Sequence, residues 1–212
     1  MCIRDRFLDV GCCFGQDVRR LIFDGAPIAN VHGSDLQQPF LDLGYDLFQD
    51  HDKLPRSTFI AADVFDAGPE SGLQQFESKV DIIHAASFFH LFGYQDSATV
   101  GRRFISLLRH QSGSMILGRQ MGNQTAGEYE HKVGTGTMFR HNPESFKQWW
   151  AEVGEATGTR WEVEVEEDKS RTWLVHDKER GGGEGKREGK EPGTGPLEDP
   201  GRMALRFCMR ML

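Results

Sequence analysis

Hydrophobic and polar positions follow two periodicities along the first 120 residues. Short apolar runs, each ended by a glycine or a polar residue, predict strands at residues 6–10, 30–34, 58–62, 80–86 and 114–120. Between them, apolar residues recur at helical spacing: Val18, Leu21 and Ile22 predict a helix over 16–24, and further helices are expected from Pro39 and over 97–109. Alternating strands and helices indicate a parallel sheet.

The second half of the chain begins with a strong helix start and ends in strand patterns. Asn142 followed by Pro143 is a typical cap and first helical residue. Trp149 and Trp150 then lie on an apolar helical face, where core packing is the simplest role. Residues 161–166 and 203–211 alternate with period two, which predicts an antiparallel hairpin. The predicted fold is α/β: a doubly wound, mostly parallel, seven-stranded sheet of five strand–helix units, closed by that hairpin.

Composition excludes several classes of protein. The 212 residues carry a net charge of −7 and a pI near 5.6, which argues against nucleic-acid binding. No apolar run approaches the ~20 residues of a membrane helix. The four cysteines have neither metal-ligand spacing nor a disulfide framework, and a reduced, cytoplasmic protein is expected.

Two segments depart from a globular pattern. Residues 1–5 resemble translated library-adapter sequence, so we expect a non-native start and a missing native region before it. Residues 178–200 contain seven glycines and eleven charged residues and predict a disordered insertion. The expected organisation is one domain over 1–177, the insertion, and the last strand of the same domain at 201–212.

Three acids stand at the ends of the first three predicted strands. They are Asp9, Asp35 and Asp63, and a turn from Gly11 to Gly15 follows the first. Each alone could cap a helix or face solvent. In a doubly wound sheet, however, ligands bind at the carboxyl ends of the strands, so the three together predict a binding site.

The residue types favour one ligand over another. A dinucleotide site needs a middle glycine where this turn has Cys13, and the charge of Asp9 would oppose a pyrophosphate. S-adenosylmethionine carries an ammonium group, which Asp9 could accept, and no phosphate. Asp35 could accept the ribose hydroxyls, and Asp63 the adenine amino group.

Several stretches resemble class I S-adenosylmethionine-dependent methyltransferases. Residues 8–15 (LDVGCCFG) look like the first motif, and Asp35-Leu36, Asp63-Val64 and residues 80–85 (VDIIHA) like the next three. Longer strings, such as FLDVGCCFGQDVRRLI, are similar to fungal methyltransferases of meroterpenoid and related pathways. The resemblance implies the strand order 3-2-1-4-5-7-6 with strand seven antiparallel. It also implies S-adenosylmethionine as cofactor and cofactor-binding residues at Asp9, Gly11, Cys12, Gly15, Asp35, Leu36, Asp63, Val64 and Ala85. No metal is expected.

The resemblance implies O-methylation of a small hydrophobic acid or hydroxyl compound, as ester or ether. A carboxylate acceptor needs no general base, whereas a phenol or alcohol does. The candidate catalytic residues are His84 and His90. Glu128, Tyr129 and His131 could also touch substrate, and a structural role is the preferred alternative for each of the five. Cys12 and Cys13 are expected only to line the turn.

Other functions remain open. The chain could be a non-catalytic cofactor-binding domain, an NAD(P)-dependent reductase or, least in keeping with the motifs, a protein-interaction module. The expected partner is a small-molecule substrate, with a homodimer left open.

Overall fold

The computed structural model describes residues 5–131, 136–170 and 201–212. The predicted insertion at 178–200 and all but the last residue of the predicted non-native start lie outside the described residues. The division into 1–177, 178–200 and 201–212 therefore stays a prediction.

Strands and helices alternate through most of the first half. The strands are β1 (Phe7–Val10), β2 (Val31–Asp35), β3 (Phe59–Ala61), β4 (Ile82–Ala86), β5 (Met115–Asn123), β6 (Gly127–Glu130), β7 (Thr137–Arg140), β8 (Trp161–Glu167) and β9 (Arg202–Met211). The helices are α1 (Gln16–Phe23), α2 (Gln38–Phe48), α3 (Tyr94–Leu107) and α4 (Pro143–Thr157). Among the described residues, no helix is long and apolar enough to cross a membrane.

The predicted sheet is confirmed. Seven strands lie in the order β3-β2-β1-β4-β5-β9-β8, with parallel pairing from β3 to β5. Strand β9 runs antiparallel to both β5 and β8. Since β9 is the seventh of these strands along the chain and β8 the sixth, the order is 3-2-1-4-5-7-6. The order turns around between β1 and β4, which places a crevice at the carboxyl ends of these strands.

One part of the predicted organisation is wrong, and one hairpin was not predicted. The connection from β3 to β4 contains a 3-10 turn at Gln74–Phe76 and no α-helix, so that strand–helix unit is incomplete. Its sequence, with Gly68, Pro69, Ser71 and Gly72, favours turns over a helix. The structure also contains an unforeseen hairpin of β6 and β7, beside the seven-stranded sheet.

Two apolar layers cover the faces of the sheet. One contains α3 and α4, and Trp149 and Trp150 are fully buried in it, as predicted. The other contains α1 and α2 and is smaller. Asn142 caps α4 by accepting a hydrogen bond from the backbone N–H of Ser145, whose hydroxyl in turn accepts from the N–H of Asn142. The loops between the parallel strands and the helices that follow them lie at the carboxyl ends of the strands, where the candidate site is found.

Candidate functional site

A cleft of about 510 Å³ opens at the carboxyl ends of the parallel strands. Five of the predicted cofactor-binding residues meet in its wall: Gly11, Asp35, Leu36, Asp63 and Val64. Its other lining residues are Val10, Ser34, Phe40, Ala62, Phe65, Ser87, Phe88, Leu91 and Phe92. The wall therefore combines two carboxylates with apolar and aromatic side chains, and none of the described residues that line it is a lysine or an arginine.

Asp35 organises the turn after β1 as well as the cleft. Its Oδ2 accepts a hydrogen bond from the backbone N–H of Cys13 at 2.8 Å, and its Oδ1 accepts from the N–H of Gln37 at 2.9 Å. Cys13 has a φ of 53°, in the left-handed region that favours glycine. Cys13, at the position of the middle glycine, thus donates its N–H to a carboxylate. In a dinucleotide site, the corresponding N–H would be free to bind a phosphate.

Gly11 brings the turn close to the aromatic wall. Its φ is 74°, and a Cβ at this position would lie 2.6 Å from Cδ2 of Phe88. The N–H groups of Gly11 and Cys12 both donate to the carbonyl of Ser34, at 2.8 and 3.0 Å, which ties the turn to β2. Glycine is therefore required at position 11 both by the backbone conformation and by the space available.

Asp63 and the aromatic residues form the opposite wall. Oδ1 of Asp63 accepts a hydrogen bond from the N–H of Phe65 at 2.9 Å. The ring of Phe65 packs edge-on against Phe92 at 5.3 Å, and Phe92 against Phe88 at 5.4 Å. This pairing encloses one side of the cleft in apolar surface.

Four predicted cofactor-binding residues lie outside the wall: Asp9, Cys12, Gly15 and Ala85. Cys12 is buried behind the turn, and burial, with the nearby carboxylates of Asp9 and Asp35, raises the pKa of its thiol. Gly15 precedes α1 with a φ of 70°, and its backbone lies against Phe59. Ala85 is buried within β4.

Asp9 is paired with His84, a contact that sequence reasoning missed. The two residues are register partners in adjacent strands β1 and β4, and Nδ1 of His84 lies 2.8 Å from Oδ1 of Asp9. Burial raises the pKa of Asp9, and the hydrogen bond and charge of His84 offset part of this rise. Burial lowers the pKa of His84, but the hydrogen bond and charge of Asp9 outweigh it, so the net pKa is raised. The one sequence signal that could have indicated this contact was the predicted adjacency of the first and fourth strands.

Asp17 joins this pair from α1. One ligand atom from each of Asp9, Asp17 and His84 lies within 4.8 Å of the others, and we call these residues the Asp9 triad. Such spacing could hold a metal ion, but the 2.8 Å contact between His84 and Asp9 is that of a hydrogen bond. The absence of a metal stays a prediction.

His90 is held in a cationic environment beside the cleft. Burial, together with the charges of Arg140 and Arg202, lowers its pKa to about 4. Its Nδ1 accepts a long hydrogen bond, 3.4 Å, from the backbone N–H of Met121. His90 is therefore neutral at pH 7, with a pKa too low for an effective general base.

The residues that follow β5 have local partners. Oε1 of Glu128 accepts a hydrogen bond from the N–H of Tyr94 at 3.0 Å. The hydroxyl of Tyr129 donates to the carbonyl of Thr125 at 2.7 Å. The N–H of His131 donates to the carbonyl of Gly136. None of the three lines the cleft.

Comparison with known proteins adds sequence relatives. No family model matches the chain. O-methyltransferase phiE of Fungal sp. (strain ATCC 74256) is 48% identical over 161 residues, which cover 76% of this chain and 53% of that protein. Seven further curated methyltransferases are 36–40% identical. The chain spans about half the length of the curated relatives it matches.

Solved structures show the same fold at low sequence identity. A 1,6-didemethyltoxoflavin-N1-methyltransferase from Burkholderia thailandensis, with S-adenosylhomocysteine bound, has a TM-score of 0.59. It is 14% identical, and the match covers 97% of this chain and 70% of that one. This chain is therefore similar in sequence to curated methyltransferases and shares the fold of solved methyltransferases. The [4+2]-cyclase SpnF superposes equally well, with a TM-score of 0.62, 14% identity and coverage of 97% and 74%. The methyltransferase fold alone therefore does not fix the reaction.

Proposed function

We propose that this chain binds S-adenosylmethionine in the cleft, and that the protein is a methyltransferase that methylates an oxygen of a small hydrophobic acid or hydroxyl compound. The observation that carries the proposal is the convergence of Asp35 and Asp63 beside the Gly11 turn, in a wall whose described residues include no lysine or arginine. Sequence relatives named methyltransferases and O-methyltransferase support the same reaction.

The lining residues fit the adenosine half of this cofactor. Both oxygens of Asp35 accept backbone hydrogen bonds, and each keeps acceptor capacity for a ribose hydroxyl. Asp63 can accept from the adenine amino group through the lone pairs that Phe65 does not use. Leu36, Phe40 and Phe65 supply apolar surface for the adenine ring.

The same wall disfavours a nicotinamide dinucleotide. Phosphates are bound by cationic side chains or by free backbone N–H groups at a helix start. Here the cleft presents two carboxylates, and the N–H of Cys13 already donates to Asp35. A pyrophosphate would be repelled by the carboxylates of Asp35 and Asp63, and no described cationic side chain of the wall would offset this repulsion.

In this mechanism the chain aligns two reactants and excludes water. When bound, S-adenosylmethionine would supply a methyl group on a positively charged sulfur; the acceptor oxygen would bond to the methyl carbon in line as the carbon–sulfur bond breaks, with S-adenosylhomocysteine as the leaving group. Phe88 and Phe92 would shield the reacting atoms, and correct alignment can contribute ~7–11 kcal/mol. A carboxylate acceptor fits best. His90, beside the cleft, has a pKa of about 4, and the described residues of the cleft wall include no histidine, lysine, cysteine or tyrosine that could act as a base. The two carboxylates of the wall, Asp35 and Asp63, are assigned to the ribose and the adenine.

Calorimetric titration tests the cofactor assignment. We expect S-adenosylhomocysteine to bind to the folded chain and NAD to leave no signal. Binding of NAD alone would favour the reductase and overturn the proposal.

Methyl transfer is a separate test. The chain is incubated with methyl-labelled S-adenosylmethionine and a panel of apolar carboxylic acids, phenols and amines, and products are separated by mass. Label in acids or phenols supports O-methylation, and label in amines alone contradicts it. Cofactor binding without transfer to any compound would favour the non-catalytic domain for the chain as it stands.

A further inference from the structure

The pair of Asp9 and His84 lies directly behind the proposed cofactor turn. Asp9 is the residue before Val10, and Val10 and Gly11 line the cleft. Its side chain is 3% exposed, and that of His84 is 18% exposed. Oδ1 of Asp9 lies 2.8 Å from Nδ1 of His84. A carboxylate has about four acceptor sites, so this hydrogen bond leaves Asp9 with capacity to accept from a second donor.

The position of His84 is fixed independently of the cofactor. It lies within β4, whose parallel pairing with β1 sets Asp9 opposite His84. Its ring stacks on Phe7 at a centroid distance of 6.1 Å. Two constraints, the sheet register and the aromatic neighbour, therefore hold the imidazole against the carboxylate.

The surroundings of the pair are predominantly acidic. Asp17 from α1 and Asp35 from β2 add negative charge near Asp9, and Arg119 from β5 adds a positive charge near His84. With Asp9 itself, three carboxylates face one guanidinium and one titratable imidazole. A proton on His84 is favoured in this field, and so is an external cation at the same carboxylate.

We infer that His84 is a positioning residue that orients Asp9 toward the ammonium group of the cofactor, and that the bound ammonium competes with the proton of His84. This inference rests on the proposed cofactor site. Neutral His84 can still donate from Nδ1, so the hydrogen bond that positions Asp9 persists after the proton is lost. The histidine would act through Asp9 and not on the methyl group.

The competition has a defined direction. The pKa of His84 lies above its ordinary value because of Asp9, and an ammonium at Asp9 would lower it toward that value. At pH values between the pKa of His84 in the free chain and its lower pKa in the complex, binding of the cofactor therefore releases protons. By linkage, the cofactor binds more tightly as the pH rises through this range. The pKa of Asp9 is also raised, so its ionisation increases affinity in the same direction.

Calorimetry of the whole chain with S-adenosylhomocysteine tests this inference. Titrations run from about pH 5 to about pH 9, the range around an ordinary histidine pKa of about 6.5. At each pH, two buffers with different ionisation enthalpies give the number of protons released. The variants are His84→Asn, whose amide can replace the Nδ1 donor, His84→Leu, which has no donor, and Asp9→Asn.

Each variant has its own expected result. His84→Asn keeps affinity near that of the wild type at high pH but loses most of the proton release. His84→Leu weakens binding about tenfold, since a hydrogen bond to a charged group is lost. In the Asp9→Asn background, His84→Leu has no further effect.

A matched control separates positioning from a general effect on folding. His32→Asn replaces another partly buried histidine of the sheet, whose ring packs on Phe76 away from Asp9. We expect wild-type affinity and wild-type proton release from this variant. Circular dichroism confirms that every variant is folded.

The outcomes distinguish the two proposals. A folded wild type that binds no S-adenosylhomocysteine overturns both. Binding by the wild type, with unchanged affinity and proton release in His84→Asn and His84→Leu, overturns only the role of His84. An equal loss for His84→Leu with and without Asp9 would also overturn it, because the histidine would then not act through the carboxylate.

Discussion

Replacement of Asp35 by alanine is the most direct perturbation of the cleft. The carboxylate accepts hydrogen bonds from two backbone N–H groups and, in the proposed complex, from the two ribose hydroxyls. Alanine removes all four. We therefore expect a large loss of affinity for S-adenosylhomocysteine and a smaller loss of stability.

The two losses follow from the hydrogen bonds involved. Hydrogen bonds to a charged group contribute about 1.5 kcal/mol each at the lower end, so two ribose contacts contribute about 3 kcal/mol, or roughly 100-fold in affinity. Cys13 and Gln37 lose their acceptors, but they lie at a partly exposed turn, where water can replace the carboxylate. We expect the free energy of unfolding to fall by about 1–2 kcal/mol.

Two measurements check this prediction. Calorimetry gives the affinity for S-adenosylhomocysteine and for adenosine, which should weaken together because both carry the ribose. Urea unfolding gives the stability. Asp66→Ala is the matched control, because Asp66 accepts the same type of hydrogen bond, from the N–H of Gly68 at 2.9 Å, and does not line the cleft. Affinity within twofold of the wild type in a folded Asp35→Ala chain would refute the ribose role.

Three further experiments test the turn at Gly11, the buried His141 and the predicted absence of a metal ion. Gly11→Ala should unfold the turn and abolish cofactor binding, because the added Cβ would clash with Phe88. The control is Gly158→Ala: Gly158 has a φ of 68° but open space around it, so this change should lower stability by only about 1 kcal/mol. Equal melting temperatures for the two variants would contradict the packing argument. Burial lowers the pKa of His141 to about 4, so the stability that its neutral form contributes is complete above about pH 6.5 and is lost as the pH falls toward 4. His141→Gln should flatten that part of the urea-unfolding profile against pH, and an unchanged slope would show that another group titrates. Dialysis against EDTA should leave cofactor affinity unchanged; a loss restored by a divalent cation would mean that the Asp9 triad holds a metal ion.

The sequence was sufficient for the sheet because its signals are local and repeated. Each parallel strand is a short apolar run ended by a glycine or a polar residue, and the alternation of 161–166 and 203–211 specifies a hairpin. The connection from β3 to β4 was misjudged because strand–helix alternation was extended across a segment rich in glycine and proline. The hairpin of β6 and β7 was missed because Gly127–Glu130 and Thr137–Arg140 are short and have no clear apolar alternation.

The candidate site was predicted less completely, since it depends on contacts between strands. Asp35 and Asp63 could be placed from their positions after strands, and both line the cleft. Asp9 has the same sequence signature but a different environment: it precedes the last residue of β1, where the side chain is enclosed by the sheet and by α1. A shift of one or two residues relative to the strand end therefore decides whether an acid lines the open cleft or is buried behind it beside a neighbouring strand.

The difference in burial among the three acids gives each a separate role in the proposed complex. Asp63 and Asp35 are partly or fully accessible and can exchange water for ligand hydroxyl or amino groups at little desolvation cost. Asp9 is buried, and a buried carboxylate stays charged only with a compensating partner. His84 is that partner in the described structure, and an ammonium group would be a second. In the proposed complex, Asp9 of the first motif is therefore a cation site, and its charge is balanced by His84 of β4, 75 residues further along the chain.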